Sequence, residues 1–263
     1  MSELLKKDLN EKGTLTLTLN RPDVHNAFND EVIQLLTLTF KEIENDSRVL
    51  RVVLTGAGKS FCSGADLNWM KSMINYSFEE NVHDSKALAQ MFETINSCEI
   101  PVIGLVNGHA LGGGVGLLAV CDYVLAVENA KIGFTEVNLG LIPAVISPYC
   151  MQKIGISWAR ALFLSGEVFN ATKAYDIGLV HKVVQNEEFN SECEKLIQKF
   201  ESLPHSAVFS AKVLINQVGH LSTEMIQDFT CEAIANQRIS KNGQEGMSAL
   251  LEKRKPNWIQ NDK

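Results

Sequence analysis

Apolar and polar positions follow two periods along this chain, which predict strands that alternate with helices. Residues 13–19 alternate strictly between polar and apolar, which predicts an edge strand with one buried face. Apolar residues recur at helical spacing over 28–44, and the run 49–55 predicts another strand. We expect an amphipathic helix over 85–97. It leads into 101–106, an apolar and β-branched run typical of a strand buried on both faces.

The second half of the chain is predicted to begin with strands and to continue mainly as helices. Short strands are expected over 123–127 and 131–134, whereas 59–72 has the composition of a loop. Ser147 and Pro148 predict a helix start, with serine as the N-cap and proline at the first helical position. A short apolar run at 178–184 interrupts the helices. The simplest reading is one α/β domain with a helical C-terminal extension.

Composition and charge exclude several classes of protein. The chain has 263 residues, 45% of them hydrophobic, and a net charge of −7, which argues against a nucleic-acid partner. No run of about 18 apolar residues predicts a membrane span, and the first eight residues do not resemble a targeting signal, so we expect a cytoplasmic protein. Six cysteines without a C-x-x-C pair predict reduced thiols, and the histidine spacing predicts no metal site.

Two glycine-rich segments follow predicted strands and are candidates for binding a negatively charged oxygen. Gly112-Gly113-Gly114 opens an apolar run that can be helical, and Ser63-Gly64-Ala65-Asp66 lies in the 59–72 loop. If neighbouring parallel strands carry both segments, their backbone N–H groups can converge on one oxygen as an oxyanion hole. A thioester carbonyl that becomes an enolate needs this arrangement. The alternative is tight helix–strand packing with no ligand.

One acid stands downstream in a mostly apolar segment and is the candidate for proton transfer. Burial of Glu136 would raise its pKa and suit the carboxyl to that role. An exposed carboxylate at a strand end is an equally good interpretation of the same residue. For Asp66 we favour a carboxylate that caps the loop, and for His109 an interior histidine satisfied by the backbone.

A resemblance to a known family rests on several motifs in a fixed order. The motifs are LNRP at 19–22, NAF at 26–28, FCSGADL at 61–67, NGHALGGG at 107–114, CD at 121–122, EVNLGLIP at 136–143, and GM and LEKRKP within 246–256. With these motifs the chain resembles the enoyl-CoA hydratase/isomerase (crotonase) superfamily over nearly its full length. The order of the blocks makes this signal more specific than any single glycine motif.

The resemblance implies a crotonase-like ββα superhelix with a helical C-terminal trimerisation region, and an acyl-CoA substrate. Residues 1–200 would form the ββα spiral acyl-CoA-binding core and 201–263 the helical extension, in a homotrimer or a hexamer built as a dimer of trimers. Coenzyme A belongs to the substrate, so no cofactor is expected. The residues implied to hold the thioester oxygen are Ala65 and Gly113, through their N–H groups. Those implied to contact CoA are Val24, Ser63, Ala65, Asp66, Leu67, Asn68, Gly113 and Lys255.

One departure from the family pattern bears on the reaction. Hydratases of this family usually carry two glutamates. The second matches Glu136, but the first falls on Gly116. Segments 139–149, 112–117 and 66–70 look like the bacterial methylglutaconyl-CoA hydratases of leucine breakdown, which also have glycine there. Isohexenylglutaconyl-CoA hydratases share this look. We therefore expect a hydratase. The alternatives are a Δ3,Δ2-enoyl-CoA isomerase that uses one glutamate and a non-catalytic binding relative.

Overall fold

Strands and helices alternate along the first two thirds of the chain, and helices follow. The computed structural model describes residues 3–219 and 221–259. Within these residues the strands are β1 (Leu5–Leu9), β2 (Thr14–Leu19), β3 (Arg51–Gly56), β4 (Ser60–Cys62), β5 (Val102–Val106), β6 (His109–Leu111), β7 (Tyr123–Val127), β8 (Lys131–Gly133), β9 (Val168–Asn170) and β10 (Lys182–Val184). The α helices are α1 (Asp30–Ile43), α2 (Leu67–Met73), α3 (Phe78–Ser97), α4 (Gly113–Ala119), α5 (Ser147–Ser165), α6 (Ala171–Asp176), α7 (Phe189–Glu201), α8 (His205–Val218), α9 (Thr223–Ile239) and α10 (Lys241–Leu251). Short 3₁₀ helices occupy Pro22–Val24, Glu136–Leu139 and Asn186–Glu188.

The larger sheet has the strand order β1-β2-β3-β5-β7-β10 and is parallel except for the β1–β2 pair. The prediction that 13–19 is an edge strand is wrong, because β1 pairs with its outer side, Leu5 opposite Leu19. β1 itself reads LKKDL and exposes its three central charged residues. Charges of this kind protect a sheet edge against pairing with other chains. Because these residues are polar, β1 also lacks the alternation of apolar and polar residues that predicts a strand.

The smaller sheet has the order β4-β6-β8-β9, and its first three strands are parallel. Successive strands alternate between the two sheets, since β3, β5 and β7 lie in the larger sheet and β4, β6 and β8 in the smaller one. A helix follows each such pair. This is the predicted coil of ββα turns. The expectation of a loop over 59–72 is wrong in part, because β4 and α2 lie within it.

Helix starts differ from the predicted ones where polar residues form the first turns. α3 begins at Phe78, where Ser77 and Glu80 form a reciprocal capping box, seven residues before the predicted start. Its first turns are exposed and show little apolar periodicity. At α5 the expected N-cap is wrong: Ile146 is the N-cap and Ser147 the first helical residue. The Ser147 hydroxyl instead donates to the Ala144 carbonyl at 2.7 Å, so it does not cap the helix.

The core lies on both faces of the larger sheet, and β5 is buried throughout, as its composition predicts. Val102 and Val106 belong to the main core between the two sheets and the helices. Ile103 and Leu105 point to the opposite face, where α7 covers them. A strand enclosed in this way is fixed in position. Its carboxyl end therefore presents the chain that follows it, residues 107–114, at a defined place.

The C-terminal helices α8 to α10 are joined to the core by an ion pair between a buried lysine and a more exposed aspartate. The Lys212 ammonium lies 2.6 Å from an Asp122 carboxylate oxygen and donates to the Ile100 carbonyl at 3.0 Å. The helical extension is thus present as predicted. The division at residue 200 and the trimerisation role stay predictions, and residues 1, 2, 220 and 260–263 of the predicted ranges lie outside the described residues. All six cysteines are free thiols, and only Cys231 is exposed.

Candidate active site

The two glycine-rich segments meet at the carboxyl ends of β4 and β6, which are parallel neighbours. A Cβ atom built on Gly64 would lie 2.9 Å from the Leu111 carbonyl oxygen and 3.4 Å from the Gly113 nitrogen. Gly64 also has φ +86, which side chains other than glycine rarely adopt. The close approach and the backbone conformation both require glycine there. The two loops are therefore in direct contact, the condition that the sequence analysis set for an oxyanion hole.

Two backbone N–H groups at this junction are left to bind a ligand. Phe28 pairs with the loop in a parallel bridge: its N–H donates to the Gly64 carbonyl at 2.8 Å, and its carbonyl accepts from Asp66 at 3.0 Å. The intervening Ala65 N–H points the other way. Gly113 is the first residue of α4, so its N–H lies outside the helical hydrogen bonds. Neither N–H has an acceptor within residues 3–219 and 221–259.

Ala65 and Gly113 open onto a cavity of about 950 Å³. Its walls come from α2, α3 and the segment 139–146, and most of its lining side chains are apolar. The lining residues are Phe28, Ala65, Trp69, Met70, Met73, Ile74, Asn81, Asp84, Ser85, Leu88, Gly113, Glu136, Leu139, Gly140, Leu141, Ile142, Pro143, Ala144, Val145 and Ile146. A cavity of this size can take an acyl group beside the two donors.

Glu136 reaches the same cavity from the 3₁₀ helix Glu136–Leu139. Its Oε1 lies 3.3 Å from a Cβ built on Gly112, next to the Gly113 donor. Its Oε2 is buried and has no hydrogen-bond partner among the described residues. Burial raises the pKa of the Glu136 carboxyl, and its own backbone N–H offsets only part of that rise. Of the two interpretations, the structure supports the enclosed acid over the exposed strand-end carboxylate.

The loop that carries Ala65 is fixed from behind by an ion pair. Arg21 Nη2 lies 2.7 Å from Asp66 Oδ2, and both side chains are largely buried. Asp66 Oδ1 caps α2 by accepting from the Asn68 N–H at 2.7 Å. Burial alone would raise the pKa of Asp66, but the Asn68 N–H and Arg21 outweigh it and lower that pKa. Asp66 is therefore a capping carboxylate, as predicted, which also fixes the loop that carries Ala65.

Asp66→Asn is expected to lower the free energy of unfolding at pH 7 by about 1–3 kcal/mol. Asparagine keeps the capping oxygen, but it removes the charge and replaces the oxygen that accepts from Arg21 with an NH2 donor. Because the folded-state pKa of Asp66 is lowered, its contribution is present above the unfolded-state pKa and disappears as the pH falls below about 4. Urea denaturation at pH 7 and at lower pH checks this. Asp23→Asn, at an exposed position, serves as the control. A difference between Asp66→Asn and wild type that stays constant with pH would contradict the assignment.

Gly116 stands where the family pattern has its first acid. The space beside it is occupied by the side chains of other residues. A Cβ built on Gly116 would overlap the Ile146 side chain and lie 2.9 Å from the Phe92 ring. Gly116 and Phe92 are buried, and Ile146 is 3% exposed. A carboxylate at this position would therefore need a rearranged wall. The absence of an acid at position 116 therefore leaves no empty space, because neighbouring side chains pack against the glycine.

The residues implied to contact CoA lie outside the cavity lining, apart from Ala65 and Gly113. Ser63 and Val24 are neighbours, since the Ser63 hydroxyl lies 3.4 Å from the Val24 carbonyl. Leu67 and Asn68 are exposed at the start of α2. Lys255 is exposed beyond α10, and no described contact joins it to the loop. Their roles, and that of Asp66 toward CoA, stay predictions.

One further predicted residue, His109, has a structural role in the described part of the chain. His109 accepts the Lys131 N–H at 3.1 Å, as expected for a histidine satisfied by the backbone. Among residues 3–219 and 221–259, no group of three or more His, Cys, Asp or Glu side chains could hold a metal ion. In the same residues, none of the helices is long and apolar enough to cross a bilayer.

The sequence analysis missed the wall that α3 contributes to the cavity. Asn81, Asp84, Ser85 and Leu88 line it at helical spacing. The spacing was detectable, but the predicted helix began at residue 85 and excluded the first two of them. Asp84 is half-buried, and burial raises the pKa of its carboxyl, which the Trp69 indole donor partly offsets.

Comparisons with known proteins agree in sequence and in structure. A family model described as enoyl-CoA hydratase/isomerase matches residues 10–261. A crotonyl-CoA hydratase of Syntrophomonas wolfei is 34% identical over 252 residues, which cover 95% of this chain and 95% of the relative. A short-chain-enoyl-CoA hydratase of Clostridium acetobutylicum is 34% identical over 266 residues, covering 98% and 99%.

A solved structure from Legionella pneumophila, described as an enoyl-CoA hydratase/isomerase (crotonase), has a similar fold. It superposes with a TM-score of 0.91 at 39% identity and covers 98% of this chain and 100% of that chain. The predicted crotonase-like ββα fold is thereby confirmed. The similarity extends over nearly the whole chain, including the C-terminal helices.

Proposed function

The chain belongs to the enoyl-CoA hydratase/isomerase family, and from this premise we propose that it adds water reversibly across the 2,3-double bond of an enoyl-CoA. One observation carries the proposal: the unpartnered Glu136 carboxyl shares a cavity with two unpaired N–H groups. Two donors suit a thioester oxygen on which negative charge develops, and a carboxyl with a raised pKa beside them suits proton transfer at the adjacent carbon.

In this mechanism the main chain stabilises the charge and the side chain moves the proton. The thioester oxygen accepts hydrogen bonds from the Ala65 and Gly113 N–H groups as the enolate forms. Glu136 delivers its proton to C2 in hydration and removes it in the reverse reaction. The positive end of the α4 backbone dipoles adds to the stabilisation at Gly113. Removal of one such donor typically lowers the rate by about 10²–10³.

For the acyl group we propose a branched 2-enoyl chain, with 3-methylglutaconyl-CoA as the candidate that the sequence resemblance favours. The wide, mainly apolar cavity supports a branched chain. No Lys, Arg or His is among the described lining residues, so a second substrate carboxylate would meet neutral donors there, such as the Asn81 amide. Uncharged crotonyl-CoA is the informative comparison for this reason.

Absorbance of the conjugated thioester tests the reaction and the acyl group together. We expect it to fall with 3-methylglutaconyl-CoA and with crotonyl-CoA, and to fall faster with the preferred one. Mass spectrometry should identify a 3-hydroxyacyl-CoA product. Unchanged absorbance with both substrates, in enzyme that is folded by circular dichroism, would refute the hydratase proposal.

A Δ3,Δ2-enoyl-CoA isomerase is the second candidate. The observation that favours it is the absence of an acid at Gly116, where other side chains occupy the space. An isomerase moves a proton between two carbons and needs no water, so one acid can suffice. A 3-enoyl-CoA substrate would then gain the conjugated absorbance with no 3-hydroxy product. Formation of that product from a 2-enoyl-CoA decides against the isomerase.

We also propose a homotrimer or a dimer of trimers in the cytoplasm. Helices α8 to α10 expose large apolar side chains that an assembly would cover, among them Ile215, Ile239, Leu250 and Leu251. Six free thiols, five of them buried, suit a reducing compartment. Light scattering of the purified protein measures the assembly directly.

A further inference from the structure

Hydration has two proton-handling tasks, and the residues described so far account for one. The Glu136 carboxyl serves the proton at C2. The water that adds to C3 must also be held and must lose a proton as its oxygen bonds to carbon. In this family pattern position 116 would carry that acid, but here Ile146 and Phe92 occupy the space beside Gly116. Another group is needed if the chain hydrates its substrate.

The cavity lining offers one further titratable side chain. Among the described lining residues only Glu136 and Asp84 carry ionisable groups, and the neutral polar side chains are Asn81, Ser85 and Trp69. Asp84 lies on α3, on the helix face that lines the cavity, and Leu88 continues this face one turn later. Asp84 therefore contributes to a different wall of the cavity from that of Glu136, which comes from the 3₁₀ helix after β8.

The surroundings of Asp84 keep it available as a proton acceptor. No arginine or lysine forms an ion pair with it within residues 3–219 and 221–259. Burial raises the pKa of its carboxyl, the Trp69 indole donor lowers it, Asp30 raises it and His83 lowers it. A carboxylate without a fixed cation can take a proton more readily than an ion-paired one.

We propose that Asp84 is the second catalytic residue, which orients the attacking water and accepts its proton. This rests on the proposed hydratase function. The water oxygen bonds to C3 while one of its protons passes to the Asp84 carboxylate. The C2–C3 π electrons shift to the enolate, whose oxygen rests on Ala65 and Gly113, and C2 takes the proton of Glu136. After this step Asp84 is protonated and Glu136 is ionised. Proton exchange with solvent returns both carboxyl groups to their starting protonation states.

The proposal separates two measurable reactions. Exchange of a C2 proton of butyryl-CoA with deuterated water needs the enolate and Glu136, but no attacking water. Asp84→Asn is therefore expected to lower the hydration rate by about 10²–10⁴-fold while C2 exchange stays close to wild type. Glu136→Gln should lower both. Glu79→Gln removes an exposed α3 carboxylate outside the cavity and should change neither.

Chemical rescue adds a second variant. In Asp84→Ala, added formate should restore part of the hydration rate, since a free carboxylate can occupy the vacated volume. Hydration by Asp84→Asn at the wild-type rate would overturn the proposal, as would a parallel loss of hydration and C2 exchange, which indicates a structural role. Absence of hydration by the wild-type enzyme would instead refute the proposed function, so the two failures are distinguishable.

Discussion

Glu136→Gln is expected to lower kcat by about 10²–10⁴-fold and to leave the affinity for a saturated acyl-CoA close to wild type. Glutamine has the shape of glutamate but cannot supply or accept the proton at C2, and general acid–base catalysis typically contributes a factor of this size. The thioester oxygen would be held by the Ala65 and Gly113 N–H groups, which the substitution leaves in place. Steady-state kinetics and calorimetric titration with butyryl-CoA measure the two quantities.

The same variant should be at least as stable as the wild type. Burial raises the pKa of the Glu136 carboxyl, and its Oε2 has no hydrogen-bond partner among the described residues, so a neutral amide should replace the carboxyl without loss of stability. Glu99→Gln, an exposed position outside the cavity, is the matched control. Wild-type turnover in Glu136→Gln would end the assignment of this carboxyl to catalysis.

Gly113→Pro is expected to be about 10²–10³-fold slower than Gly113→Ala. A Cβ at this position overlaps the Phe28 ring, so both variants carry the same steric conflict. Only proline also removes the N–H that would hold the thioester oxygen, and the first position of a helix otherwise tolerates proline. The ratio of the two rates therefore isolates the donor from the packing.

Circular dichroism and thermal unfolding of both variants are the controls for this comparison. Their melting temperatures should fall together, because the clash with Phe28 is common to both. Equal rates for the alanine and proline variants, at equal folded fractions, would show that the Gly113 N–H has no part in turnover.

Much of the fold was accessible from the sequence, and the strands that were missed have no hydrophobic period of their own. The run that became β5 was identified because every residue in it is apolar, which is the composition typical of a strand buried on both faces. β4 and β6 were missed because three residues are too few to show a period, and they include polar Ser60 and His109. β1 was missed because its charges protect an edge, so tertiary position, not local pattern, determines that strand.

The candidate site, like the fold, was predicted from the sequence only in part. Glycine spacing predicted the paired loops, since close backbone contact leaves glycine as the tolerated residue. The burial of Glu136 depends on Gly112 and on segment 139–146, which come together only in the fold, so the sequence left its two interpretations equal. Asp84 escaped notice because its helix was predicted to begin at residue 85, seven residues after its actual start at Phe78. No local pattern could have shown that Ile146 fills the space beside Gly116.

The cavity combines parts with different freedom to vary during evolution. Ala65 and Gly113 follow the neighbouring strands β4 and β6 of the smaller sheet, and their contribution is main-chain geometry that most substitutions elsewhere leave intact. The acyl wall comes from the exposed helices α2 and α3 and from segment 139–146, whose side chains can change singly. Paralogues of this chain can thus diverge in the length, branching and charge of the acyl group they accept while inheriting the same enolate chemistry. Turnover of a set of acyl-CoA substrates by variants of the cavity-wall residues would then measure how substrate specificity changes while the reaction stays the same.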